Sequence, residues 1–228
     1  GKIGHRNINQ NLLLAPDIIK TSINTTKKEA FIVAAGPSLD SAIKKLKIEP
    51  YKKNQFIIST DTALPILIQN KIQPDIVVTI DGQIASRLHF FEGLSDKTCI
   101  VADLACSPII IRKAIKQKCP VFFTESNHPL TSIISDYFYK EYGYKLPKIY
   151  SGAGTVTIEA LDIAIYMGFK KINIAGADFA YIEGQSYARG SYFEKNLCTK
   201  SSRLNTYEQD YITTFFNKKL IDTPEGLK

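Results

Sequence analysis

Short apolar segments alternate with helical segments along most of the chain, and this alternation restricts the possible folds more than any other feature. Six segments have the apolar character of buried strands: 30–35, 55–60, 74–80, 98–102, 121–123 and 171–175. Most are followed by a turn and then by apolar residues at helical spacing. Such alternation, without internal repeats, predicts an α/β fold of the Rossmann-like type, a doubly wound, mostly parallel sheet with helices on both faces.

The stretch from 150 to 187 carries the densest set of candidate site residues. It opens with small, flexible residues whose backbone N–H groups can approach a ligand closely: Ser151, Gly152 and Ala153. The predicted helix that follows ends at Gly168, and its free N-terminus favours a bound anion. A predicted buried strand, 171–175, then leads into a polar loop. The alternative is an ordinary helix-to-strand unit whose glycines serve only turns.

A second glycine loop follows the first predicted strand. Gly36, Pro37 and Ser38 connect that strand to a predicted helix, which is the phosphate-binding arrangement of Rossmann-type domains. The chain lacks G-x-G-x-x-G, so a dinucleotide is not indicated. It also lacks G-x-x-x-x-G-K-[ST], so a P-loop triphosphate site is not indicated. Ser38 alone is equally compatible with a simple helix cap.

Two aspartates end successive predicted strands. Asp61 follows the second strand and Asp81 follows the third. Because parallel strands end at the same edge of a sheet, both carboxylates are candidates for contact with a ribose, a base or Mg²⁺ beside Gly36. The plainer alternatives are a helix cap at Asp61 and a turn at Asp81. His128 follows the fifth strand, where a lone loop histidine is more often structural than catalytic.

The charge balance favours an acidic ligand but does not predict nucleic-acid binding. The 228 residues carry a net charge of +7, from 29 basic and 22 acidic side chains. The lysines are scattered and no dense basic run occurs, so a solvated surface explains much of this charge. No signal peptide and no apolar run near 18 residues is found, so no membrane span is predicted. Three of the four cysteines adjoin apolar or small segments and are expected to be reduced and buried, which predicts a cytoplasmic location. The four cysteines have no metal-binding spacing, so no metal site is predicted from them.

The remaining segments set the predicted domain boundaries. Residues 1–27 are predicted as a helical lead-in, with a helix from Asn9 to about Asn24, and residues 28–228 as the Rossmann-type domain. The polar, aromatic segment 188–193 is predicted to be either a lid or a long surface loop. A further helix is predicted over 205–219. Because the chain starts with glycine and stops abruptly, we expect it to be part of a longer protein.

Several segments together resemble a known family. They are Ala-Gly-Pro-Ser-Leu at 35–39, Thr-Ile-Asp at 79–81, Ser-Gly-Ala-Gly at 151–154 and Gly-Ala-Asp-Phe-Ala-Tyr at 176–181. They resemble the MptE-like domain, which forms the core of the bacterial motility-associated factor (Maf) flagellin glycosyltransferases. The archaeal branch of that family contains 6-hydroxymethylpterin diphosphokinases. The resemblance runs from about Lys28 to Lys228 and implies a transferase.

The layout is also similar to that of bacterial sialyltransferases that use a CMP-sugar. The matching residues are Ser38, Ser151, Gly152, Tyr181 and Tyr187. This resemblance implies that the loops hold the cytidine nucleotide and that the two tyrosines bond the phosphate as CMP departs. The sialyltransferases also have a histidine base after the tyrosines, whereas the histidines of this chain lie no later than position 128. Asp178, Glu183 or His128 are candidate replacements, or the base lies in a further part of the protein.

Three functions stay open at this point. The first is a glycosyltransferase that moves a nonulosonic acid from a CMP donor to a hydroxyl of flagellin, with no other obligatory cofactor. Its predicted catalytic residues are Tyr181, Tyr187 and Asp178, and its predicted nucleotide-binding residues are Gly36, Pro37, Ser38, Asp61, Asp81, Ser151, Gly152 and Ala153. The second is a diphosphokinase that uses ATP, with Mg²⁺ held by Asp61 and Asp81. The third is a catalytically degenerate nucleotide-sugar-binding domain that serves a partner protein.

Overall fold

A computed structural model describes most of the chain. The described residues are 2–15, 23, 25–47, 55–90, 93–125, 128–149, 155–182, 185–204, 206, 209, 212 and 213. The predictions for Ser151, Gly152, Ala153 and Glu183, and most of the helix predicted over 205–219, lie outside these residues.

The described residues form one parallel sheet of six strands in the order β5-β4-β3-β2-β1-β6. The strands are β1 (Glu29–Val33), β2 (Gln55–Thr60), β3 (Ile76–Thr79), β4 (Cys99–Asp103), β5 (Val121–Thr124) and β6 (Lys171–Ala175). Each lies within one of the predicted strand segments or within a residue or two of it. Strands β2, β3 and β4 are buried throughout, as expected for strands covered on both faces. The predicted Rossmann-like fold class is confirmed.

The order in which the strands are added to the sheet reverses between β1 and β6, although all six strands are parallel. From β1 the chain adds β2 to β5 in one direction, and it then returns to place β6 on the other side of β1. In open α/β sheets, ligands bind beyond the carboxyl ends of the strands at such a reversal. From the topology alone, the loops that follow β1 and β6 are where a ligand is expected.

Helices cover both faces of the sheet. They are α1 (Lys2–Leu12), α2 (Leu39–Leu46), α3 (Leu64–Gln69), α4 (Pro108–Lys116), α5 (Pro129–Tyr142), α6 (Val156–Tyr166) and α7 (Tyr192–Lys200). Helix α6 packs on one face through Ala160 and Ile163, against a buried cluster that includes Ile32 and Ile58. Helices α2 and α3 pack on the opposite face. This two-sided packing makes the sheet doubly wound.

Helix α1 packs on the domain, as the sequence predicts, but it begins earlier and ends at Leu12. Its buried side includes two asparagines. Asn7 Nδ2 donates to the carbonyls of Gly82 and Ala105 at 2.9 and 3.1 Å. Asn11 Nδ2 donates to those of Leu104 and Cys106 at 2.9 and 3.0 Å. The helix is therefore fixed to loops at the carboxyl edge of the sheet by amide hydrogen bonds, which an apolar pattern cannot indicate.

The prediction that 171–175 is a buried strand is wrong in one respect. The strand is present as β6, but none of its residues is buried, and Ile174 is 46% exposed. Strand β6 pairs with β1 and lies at the end of the described sheet. An end strand is covered less completely than a central one, and its sequence does not give its place in the sheet.

In the described part of the chain, no helix combines the length and the apolar character that crossing a membrane requires.

Candidate functional site

A cavity of about 380 Å³ opens at the carboxyl edge of the sheet, between β1 and β6, where the strand order reverses. Its walls come from the segments that follow β1, β2 and β6, from the first turn of α6, and from the segment before α7. The lining residues are Ala34, Ala35, Gly36, Thr60, Thr62, Thr155, Val156, Thr157, Gly176, Ala177, Asp178, Phe179, Ala180, Tyr181, Ser186 and Tyr187. Four predicted site residues from distant parts of the sequence are thus brought together: Gly36, Asp178, Tyr181 and Tyr187.

The two loops after β1 and β6 are held together through their backbones. Ala34 N donates to Ala175 O, and Gly36 N donates to Gly176 O, both at 2.8 Å. A Cβ on Gly36 would lie 2.3 Å from Asp178 Oδ2 and 2.6 Å from Gly176 O. The space that a side chain at position 36 would need is therefore filled by the protein's own chain.

Asp178 links the end of β6 to the start of α2. Its Oδ2 accepts a hydrogen bond from Ser38 N at 2.9 Å, although 140 positions separate the two residues. A carboxylate at this position is favourable because the first N–H groups of a helix carry partial positive charge. The Ser38 hydroxyl makes no capping hydrogen bond, so Asp178 caps the helix instead. Pro37 and Ser38 do not belong to the described lining of the cavity.

The two predicted catalytic tyrosines both line the cavity. Between them in sequence, Ile182 and Gln185 exchange two backbone hydrogen bonds, with N–O distances of 3.1 and 2.9 Å. The Tyr187 ring stacks on Phe193, with ring centroids 4.7 Å apart and an interplanar angle of 19°.

The segment after Tyr187 is a turn followed by helix α7, which differs from the predicted lid or long surface loop. Ala188 N donates to Ala35 O at 2.8 Å, and Arg189 N donates to Asp40 Oδ1 at 3.1 Å. Glu194 N donates to Ser191 Oγ at 3.2 Å, which caps α7. These bonds fix the position of the wall that carries Tyr187.

The two strand-end aspartates lie at the predicted edge of the sheet, but neither belongs to the described lining of the cavity. Asp61 is buried; its Oδ1 accepts from Thr62 N at 2.7 Å and its Oδ2 from Thr79 Oγ1 at 2.8 Å. Burial raises the pKa of Asp61. Asp81 is exposed and accepts from Gln83 N at 2.9 Å. Direct contact of either carboxylate with a nucleotide stays a prediction.

His89 is a buried residue outside every motif of the sequence. Its Nδ1 has no hydrogen-bond partner among the described residues. Burial lowers the pKa of His89, although the Asp61 and Asp81 carboxylates act in the opposite direction. The centroid of its ring lies 5.5 Å from that of Phe193, whose ring also stacks on Tyr187. No motif surrounds His89, so the sequence offered no signal for it.

His128 caps helix α5. Its Nδ1 accepts a hydrogen bond from Leu130 N at 3.3 Å. This contact gives His128 a structural role at the start of the helix, in agreement with the plainer interpretation of a lone loop histidine.

Glu159 is a second buried acid near the cavity. It lies in the first turn of α6, two positions after the lining residue Thr157. Burial, reinforced by the carboxylates of Asp103, Asp162 and Asp61, raises the pKa of Glu159 to about 8. The side chain is therefore largely protonated at neutral pH.

The fold and the cavity together define a Rossmann-like domain with a cavity at the carboxyl edge of its sheet, between β1 and β6. A family model described as 6-hydroxymethylpterin diphosphokinase MptE-like matches residues 5–184. The chain therefore belongs to the MptE-like family, as its motifs predicted.

The chain is also similar to two uncharacterized proteins of Treponema pallidum (strain Nichols). One is 28% identical over 56% of this chain and 44% of its own length. The other is 21% identical over 68% of this chain and 40% of its own length. The chain thus spans less than half the length of either relative.

A solved structure with a similar fold is that of the Maf glycosyltransferase from Magnetospirillum magneticum AMB-1. The likeness has a TM-score of 0.54 and 21% sequence identity, and it covers 71% of this chain and 24% of that one. At this identity it shows a shared fold.

Proposed function

We propose that the protein is a glycosyltransferase that moves a nonulosonic, sialic-acid-like sugar from a CMP donor to a protein hydroxyl, with flagellin as the acceptor. The observation that carries the proposal is the chemistry of the cavity. Its described lining offers threonine, serine and tyrosine hydroxyls and contains no lysine, arginine or histidine. Such a lining suits a phosphate with a single negative charge better than a diphosphate.

The chemistry of a CMP-sugar fits these groups. Breaking the bond between the sugar and the phosphate builds positive charge on the sugar and releases a negatively charged phosphate. Preorganised hydroxyl and N–H donors stabilise that leaving charge. Tyr181 and Tyr187 would supply hydroxyls, and the predicted loop of Ser151, Gly152 and Ala153 precedes Thr155, which lines the cavity.

The acceptor hydroxyl must lose a proton in this reaction. Asp178 is the one carboxylate in the described lining of the cavity, and it is fixed by its bond to Ser38 N. A positioned carboxylate can accept such a proton. Asp178 therefore replaces the histidine of the sialyltransferases in this proposal.

The test is the release of CMP from a CMP-activated nonulosonic acid in the presence of a flagellin acceptor. Tyr187→Phe removes one hydroxyl and keeps the stacked ring, so it should slow CMP release by roughly 10- to 1,000-fold. Tyr166→Phe is a matched control, because Tyr166 is exposed on α6 and does not line the cavity. No CMP release by the parent protein, or equal rates in the parent and in Tyr187→Phe, would contradict the proposal.

A second candidate function is supported by the description of the matching family model. A 6-hydroxymethylpterin diphosphokinase would bind ATP with Mg²⁺, and Asp61 and Asp81 were the predicted ligands. Among the described residues, no three His, Cys, Asp or Glu side chains form a group that could hold a metal ion. Formation of AMP from ATP, Mg²⁺ and a hydroxymethylpterin would favour this candidate over the first.

A further inference from the structure

Phe179 is a bulky residue in a backbone conformation that favours glycine. Its φ angle is +49°, and this left-handed region is unfavourable for a residue with a large side chain. Lys71 and Lys118 also have positive φ angles. Each of them lies two positions after the end of a helix, where this conformation is ordinary. Phe179 follows a strand, so helix termination does not explain its conformation.

The Phe179 ring does not contribute to the core. It is 73% exposed and lies in the wall of the cavity. Its ring stacks on no other ring in the described part of the chain. A residue that is both strained and unpacked does not stabilise the fold, and such residues concentrate where a ligand binds.

The character of the other lining groups indicates which part of a nucleotide would meet this ring. Thr60, Thr62 and Thr155 offer hydroxyls, which suit a phosphate and a ribose. The Tyr187 ring already stacks on Phe193. Phe179 offers an open aromatic face and no polar group, which suits a flat base.

We propose that Phe179 stacks on the nucleobase of the bound nucleotide and that its strained conformation holds the ring in place for this contact. The inference rests on the proposed function, because it requires that the cavity binds a nucleotide. It adds the residue that recognises the base.

The test compares three variants of Phe179 and one control variant by titration with CMP. Phe179→Ala and Phe179→Gly both remove the ring and should raise the Kd for CMP by about 5- to 100-fold, whereas Phe179→Tyr should stay close to the parent. Phe179→Gly also removes the strain, so it should raise the Tm by about 2–4 °C relative to Phe179→Ala. Tyr166→Ala removes an exposed ring outside the cavity lining and should leave the Kd unchanged.

Saturation-transfer NMR identifies the part of CMP that the ring contacts. In the parent, the cytosine H5 and H6 protons should receive more saturation than the ribose H1′ proton, and Phe179→Ala should abolish that difference. Equal CMP affinity in the parent and in Phe179→Ala, or an unchanged saturation pattern, would overturn the stacking role of Phe179 without contradicting the proposed function. If the parent itself does not bind CMP, the proposed function fails and this inference fails with it.

Discussion

Replacing Glu159 by glutamine should stabilise the protein at alkaline pH. Burial raises the pKa of Glu159 from 4.5 to about 8 in the folded protein, and in the unfolded chain the pKa returns to its ordinary value. The neutral acid is therefore the form that the fold favours. The stability that the neutral Glu159 side chain contributes is fully present below a pH of about 4.5 and is lost as the pH rises through about 8.

The size of the effect follows from the two pKa values. A pKa difference of about 3.5, at about 1.4 kcal/mol for each pKa unit, gives an upper limit of about 5 kcal/mol. Glutamine resembles the neutral acid in shape and does not titrate. The stability of Glu159→Gln relative to the parent should therefore rise by at most about 1.4 kcal/mol per pH unit between about pH 5 and pH 8, and then level off.

Urea unfolding followed by circular dichroism, repeated at several pH values from about 5 to 9, measures this difference across the window set by the two pKa values. Glu141→Gln is the control, because Glu141 is an exposed glutamate on α5. Its unfolding free energy should follow that of the parent at every pH. If the curves for the parent and Glu159→Gln stay parallel over the whole range, the carboxyl ionises in the fold without cost and the reasoning is refuted.

Two further substitutions test the walls of the cavity. Gly36→Ala should lower the free energy of unfolding by about 1–3 kcal/mol, because the added Cβ would lie 2.3 Å from Asp178 Oδ2. In the control Gly4→Ala the added Cβ lies 3.6 Å from its nearest atom, so this variant should not be destabilised. Equal unfolding free energies for the two variants would contradict the packing described. Phe193→Leu removes the ring that stacks on Tyr187 and should lower the Tm by about 2–4 °C. The control Tyr187→Phe keeps both rings and should change the Tm by less. Thermal unfolding measures both variants, and an unchanged Tm in Phe193→Leu would show that the stacking contributes nothing to stability.

Strands β1 to β5 were predictable because each contains apolar residues that point to both faces of the sheet. In β2, for example, Phe56, Ile57 and Ile58 are all buried. The order of the strands was not readable from the sequence, which is why β6 was predicted as buried. Helix α1 was placed too late in the chain because its contact with the domain uses Asn7 and Asn11. Polar contacts of this kind leave no apolar period to detect.

The candidate site residues that belong to sequence motifs were predictable. The contacts between residues far apart in the sequence were not. Gly36, Asp178, Tyr181 and Tyr187 belong to segments with recognisable motifs, and all four line the cavity. The bond between Asp178 and Ser38 joins residues 140 positions apart, and no local pattern indicates it. His89 belongs to no motif, so no local pattern indicates it either.

Binding of CMP in the cavity is tested most simply by a thermal-shift measurement with CMP, CDP, UDP, GDP and ATP, each with and without Mg²⁺. A ligand present at about 100 times its Kd should add about 2.7 kcal/mol of stability, which corresponds to a Tm increase of about 5–10 °C. A CMP-sugar transferase should show an increase that is selective for CMP and independent of Mg²⁺. An increase with ATP that requires Mg²⁺, or no increase with any nucleotide, would contradict the proposed function.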